Sequence, residues 1–91
     1  MLKVSEEDVG EVFTLALAAL GWIVADPVRA QRLLDVTGLT PDDLRTRIGD
    51  SELLAATLRF LEAHEPDLVA CAEAIDVAPG RLVAAREVLE R

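Results

Sequence analysis

The chain has 91 residues and is 52% hydrophobic, which supplies the single modest core of one small domain and argues against disorder. Nine basic against seventeen acidic side chains give a net charge of −8, which disfavours binding to nucleic-acid phosphates or to anionic membranes. Because Cys71 is the one cysteine, the chain cannot form an internal disulfide, and we expect a cytoplasmic protein. We also expect a single helical domain over residues 1–91.

The first predicted element is a helix over roughly residues 6–24, opened by Ser5 and Asp8 in a spacing that resembles a capping box. From Val12 to Ala25 the sequence VFTLALAALGWIVA is uncharged but too short for a membrane span of about 20 residues. Acidic residues precede it where a signal peptide needs positive charge. We therefore expect no membrane contact and a central helix.

Two interpretations of this first helix stay open. A helix that is apolar nearly all round is commonly buried within its own chain. The same surplus of apolar surface on a small chain also suits a subunit interface in a homodimer. The candidate interface residues are Val12, Leu15, Ala19 and Trp22.

The four prolines predict the starts of four further helices, because the missing N–H of proline would be unpaired in a first turn anyway. Gly38 and Gly49 predict helix ends, and Asp50 is expected to cap the helix that follows it. The remaining helices are predicted over residues 27–37, 41–48, 51–64, 66–75 and 79–90. The sequence thus predicts an all-α fold, a compact bundle of five to six short helices.

A weak internal echo links WIVADPVRAQRLLDVTGLTPDDL with LEAHEPDLVACAEAIDVAPGRL. Asp35-Val36 matches Asp76-Val77, and Pro41 with Leu44 resembles Pro79 with Leu82. Two related three-helix units would explain the echo, while unequal gaps between the matched positions leave chance as the alternative.

The motifs Asp26-Pro27, Thr37-Gly38-Leu39 and Phe60-Leu61 follow one another in an order that resembles a family of small alphaproteobacterial proteins, the domain family of unknown function DUF3572. The most specific is Thr37-Gly38-Leu39 with the following Pro41, whereas the Glu65-Pro66 step departs from the family pattern. The resemblance implies a helical fold in a bacterial cytosol and carries over no catalytic or binding residue. The other matching motifs are Leu44-Arg45, Asp50, Leu53-Leu54-Ala55-Ala56, Ala85-Arg86 and Leu89.

Residues that could support catalysis or bind a metal are few. His64 and Cys71 lie seven residues apart with Pro66 between them, and zinc needs three or four ligands. The paired acids fall in predicted first turns, where they complement the helix dipole, and the five glycines stand singly rather than in a phosphate-binding loop. We therefore expect a non-enzymatic protein with no catalytic residue, metal or cofactor.

The stretch TGLTPDDLRTRIGD, residues 37–50, has the order of a helix-turn-helix that binds DNA. However, Asp42 and Asp43 occupy the turn that should face the bases, and DNA-binding domains are usually basic. Nucleic-acid binding is therefore the alternative hypothesis. The preferred hypothesis is a protein–protein interaction or regulatory module, whose partner is an unknown protein or a second copy of the chain. The candidate anion patch is Arg29, Arg32, Arg45 and Arg47.

Overall fold

The computed structural model describes residues 6–91, with side chains from Val9 onward. The described backbone contains six helices and no strand, which confirms the predicted all-α bundle. Four helices end one or two residues earlier than predicted, and the expected Ser5 cap lies outside the described residues. The helices are α1 (Glu6–Val24), α2 (Pro27–Thr37), α3 (Pro41–Thr46), α4 (Ser51–Glu62), α5 (Glu65–Ala74) and α6 (Pro79–Leu89).

Side-chain caps and prolines define where the helices begin. Thr40 and Asp43 form a reciprocal capping box at α3, in which each backbone N–H donates to the other side chain at 3.0 Å. Asp50 accepts the Glu52 N–H at 2.9 Å, as expected of the α4 cap. At α5, His64 is the N-cap, so Pro66 is the second helical residue rather than the first.

Helix α1 packs against α2, α4, α5 and α6, but it is less central than predicted, because one of its sides is exposed while α4 buries seven residues. Thr57 is the buried polar residue of the described core, and its hydroxyl donates a 3.0 Å hydrogen bond to the Leu53 carbonyl. Burying each large aliphatic side chain stabilises the fold by roughly 1.5–3 kcal/mol. The largest fully buried apolar side chains are Ile23, Leu33, Leu53, Leu54, Leu58, Leu61 and Leu82.

The turns after α2 and α5 share one conformation. Gly38 (φ 77°) and Asp76 (φ 62°) are both left-handed, and each lies three residues before a helix-opening proline. This match agrees with the pairing of Pro41 with Pro79 in the sequence echo, whereas the pairing of Asp35 with Asp76 is shifted from it by three residues. The packing is not repeated, since α3 contains no fully buried residue while α6 buries Leu82, Ala85 and Leu89.

Candidate functional site

The four residues considered as an interface on α1 lie on the side that faces the chain's own core. Ala19 is completely buried, and Val12, Leu15 and Trp22 are half-buried against the core. They therefore contribute to the internal packing of the chain. The solvent-exposed side of α1 is instead formed by Val9, Gly10, Glu11, Thr14, Leu17, Ala18, Gly21 and Val24.

Apart from Glu11, this exposed side of α1 consists of small or apolar residues. Gly10 and Gly21 are eleven residues apart, about three helical turns, so they lie nearly in line along the helix. A Cβ added at either glycine would meet nothing within 4 Å. No contact within the described chain therefore requires glycine at these positions, although glycine inside a helix costs about 1 kcal/mol relative to alanine.

An apolar hollow of about 440 Å³ lies between this side of α1 and helix α3. Around it, Leu17, Val24 and Ile48 are 38%, 43% and 49% exposed. Large apolar side chains grouped in this way on a small protein are typical of interaction sites. We name the surface the α1–α3 face and define it by the residues that line the hollow: Leu17, Leu20, Gly21, Val24, Pro41, Leu44, Arg45 and Ile48.

A second groove, of about 790 Å³, follows the other flank of α1. Its lining is mixed, with Glu11, Thr14 and Arg81 beside Leu15 and Ile75. The exposed side of α1 therefore lies between a groove of mixed polarity and an apolar hollow.

The arginines of the candidate anion patch each have a carboxylate partner. Arg29 pairs with Asp26 at 3.4 Å, and the remaining three pair with carboxylates of α3, α5 and the residue that caps α4. No uncompensated cluster of positive charge results from these four side chains, which weakens the case for a phosphate-binding surface. The remaining pairs are Arg32–Asp67, Arg45–Asp42 at 3.1 Å and Arg47–Asp50 at 3.2 Å.

His64 is the N-cap of α5 and Cys71 lies within the helix, but the two side chains do not form a pair. His64 Nδ1 is 3.1 Å from Asp67 Oδ2, while Cys71 is completely buried. Burial raises the pKa of the Cys71 thiol to about 11, which keeps the sulfur protonated and unreactive. Among the side chains that the structure describes, from Val9 onward, no three His, Cys, Asp or Glu residues are close enough together to hold a metal ion.

None of the described helices is long and apolar enough to cross a membrane by itself. Only Val9–Val24 and Pro27–Thr37 taken together reach the necessary length and composition, and they are bent by 114° at the break between them.

Comparison with known proteins identifies the family. No curated protein and no solved structure matches the sequence. Residues 11–91 match a family described as a protein of unknown function (DUF3572). The match includes the Thr37-Gly38-Leu39 motif, while the alphaproteobacterial source that the resemblance implied stays a prediction. Since the match spans most of the chain, the protein belongs to the DUF3572 family.

Proposed function

We propose that this protein is a non-enzymatic protein–protein interaction module and that the α1–α3 face is its docking surface. The supporting observation is the exposure of Leu17, Val24 and Ile48 around one hollow. Removing apolar surface from water contributes about 25 cal/mol per Å². Covering these three side chains with an apolar partner surface is therefore favourable.

The chemistry of the hollow suits an apolar protein surface better than a small molecule. Small-molecule sites combine apolar walls with a few convergent polar groups that orient the ligand. Arg45 is the one charged side chain that lines this hollow, and it is 71% exposed and paired with Asp42. An amphipathic helix laid along an apolar groove needs no such polar group, because side chains at helical spacing anchor it.

Nucleic-acid binding through α2 and α3 is the rival proposal, and the charge distribution supports it less. The arginines that would contact phosphates already have carboxylate partners, and the net charge of −8 opposes association. A gel-shift assay at low salt separates the two proposals. A shift of genomic DNA fragments by micromolar protein would favour the rival.

Photo-crosslinking in living cells of the organism from which the protein comes tests the interaction proposal. A photoreactive phenylalanine analogue replaces Leu17, and the matched control carries it at Ala70, an exposed residue of α5. We expect a covalent adduct with a protein at position 17 and none at position 70. If neither position produces an adduct, or both produce the same ones, the α1–α3 face is not a docking surface.

A further inference from the structure

We propose that the occupant of the α1–α3 face is a second copy of this chain, with the two α1 helices packed antiparallel about a twofold axis. This inference rests on the proposed function and names its partner. Its geometry follows from the charge distribution of the chain and from the order of small and large residues along α1.

The charge distribution leaves one surface where two copies can meet, on the part of α1 from Val12 to Val24. Each copy has a net charge of −8, so most contacts between copies would bring carboxylates together at a cost. Helix α1 has no charged residue from Val12 to its end, and Arg45 is the one charged residue lining the apolar hollow. Contact through this face therefore brings no pair of buried carboxylates together.

The two glycines on the exposed side of α1 specify an antiparallel register. A twofold axis midway between Gly10 and Gly21 places each of them opposite the other glycine of the second copy. Helix axes approach more closely where the contacting side chains are small. This close approach supplies the reason for glycine that packing within the described chain does not provide.

The same register matches large residues with the hollow. In an antiparallel twofold pair, the flank of α1 that borders α3 faces the same flank of the second copy. Val9 and Phe13 lie on that flank and come level with residues 22 and 18 of the other helix, beside its hollow. Leu17 comes level with the smaller Thr14. Phe13 and Leu17 of one copy thus come level with the small Ala18 and Thr14 of the other. Val9 comes level with Trp22, and Leu20 comes level with Glu11.

The area that a dimer requires favours a partner as long as α1. A standard interface buries roughly 800 Å² on each partner, about a seventh of the 5444 Å² surface of this chain. The 19 residues of α1 span about 28 Å at 1.5 Å per residue. A second α1 of equal length covers the exposed side of α1 and the hollow together, whereas a short peptide segment would leave part of both exposed.

Light scattering on the full-length chain during size-exclusion chromatography tests the dimer. We expect twice the chain mass of 9.8 kDa at micromolar concentrations and above. Gly21→Leu should yield the monomer with unchanged helical circular dichroism, because a Cβ at this position meets nothing within 4 Å and the larger side chain keeps a second helix away. Ala70→Leu, an exposed substitution on α5, should leave the dimer intact.

Disulfide trapping tests the register. When the Gly10→Cys and Gly21→Cys variants are mixed and oxidised, we expect the mixed disulfide, while Gly10→Cys alone should not crosslink to itself. Self-crosslinking of Gly10→Cys alone would indicate parallel helices and overturn the antiparallel arrangement.

Two further outcomes would overturn the homodimer, and one of them would leave the proposed docking function intact. A dimer that Gly21→Leu leaves intact would place the interface elsewhere. A wild-type chain that stays at 9.8 kDa over the whole concentration range, together with a photo-crosslink from Leu17 to a different protein, would reject the second copy. In that case the docking function itself would still stand.

Discussion

The guanidinium carbon of Arg29 lies 3.7 Å from the centre of the Trp22 ring, and Nη2 of the same group donates a 2.8 Å hydrogen bond to the Trp22 carbonyl oxygen. Nη1 is 3.4 Å from Asp26. A single arginine of α2 therefore satisfies a carbonyl near the end of α1, covers the indole and pairs with the residue that precedes α2. This cluster links the two helices at the bend between them.

We predict that Arg29→Ala lowers the free energy of unfolding by about 1–2 kcal/mol, through loss of the cation–π contact and of the hydrogen bond. Arg45→Ala is the matched control, because its side chain is 71% exposed and pairs only at the surface; its effect should stay within about 0.5 kcal/mol. Urea unfolding followed by far-ultraviolet circular dichroism measures both. Equal losses in the two variants would show that the Trp22 contact contributes nothing specific.

The left-handed residues Gly38 and Asp76 should respond oppositely to substitution. An L-residue in this conformation costs roughly 1–2 kcal/mol, which glycine avoids. We predict that Asp76→Gly raises the free energy of unfolding by about 0.5 kcal/mol, because the gain is partly offset by greater freedom of the unfolded chain. Gly38→Ala should lower it by about 1 kcal/mol.

Gly49→Ala serves as the control for this pair, since Gly49 has no positive φ and open space for a Cβ. Thermal unfolding of the three variants against wild type measures the differences. A loss of stability in Asp76→Gly would mean that the Asp76 side chain, rather than its backbone conformation, stabilises the end of α5.

The helix order was predictable because proline and capping residues act locally. Pro27, Pro41 and Pro79 each begin a helix, as their fixed φ and missing N–H dictate. The predicted end of α3 was too late, because Gly49 predicts a helix that ends at Ile48, whereas α3 ends at Thr46 and leaves Ile48 exposed. Local signals determine helix starts better than the last turn, where fraying and packing decide.

The candidate surface was not predicted, since orientation depends on the neighbours of a helix. Every side of α1 from Val12 to Val24 is uncharged and largely apolar, so periodicity could not distinguish the inward side of Ala19 from the outward side of Leu17. One local signal was available: Gly10 and Gly21 stand three turns apart and are unfavourable in a helix interior. Glycines spaced in this way favour the close approach of a second helix to the exposed side of α1.

Stability should fall in acid because three carboxyl groups are better stabilised as anions in the folded state. The backbone N–H of Thr40 lowers the pKa of Asp43, the backbone N–H of Glu52 lowers the pKa of Asp50, and the Arg86 guanidinium lowers the pKa of Glu90. A carboxyl with a lowered folded pKa stabilises the fold above its unfolded pKa, and that contribution is lost as the pH falls through the folded value.

We therefore predict that the free energy of unfolding declines from about pH 4.5 downward, the ordinary pKa of a glutamate such as Glu90. Asp43→Asn keeps an oxygen that accepts the Thr40 N–H but cannot titrate, so its decline should be shallower than that of wild type. Urea unfolding at a series of pH values measures both slopes. Parallel curves would show that the capping box of α3 does not contribute to acid sensitivity.

Cys71 offers a chemical probe of the opening of the core. Its side chain is fully buried, and a pKa raised from 9.0 to about 11 leaves roughly a hundredfold less thiolate at neutral pH than an ordinary thiol has. We predict that an aromatic disulfide reagent modifies the native protein orders of magnitude more slowly than the protein in urea, because reaction requires transient opening.

In Arg29→Ala, a loss of about 1–2 kcal/mol in the free energy of unfolding should accelerate modification about 5- to 30-fold if global unfolding exposes the thiol. An unchanged rate in that variant would mean that Cys71 becomes accessible through a local opening of α5, independent of the α1–α2 cluster.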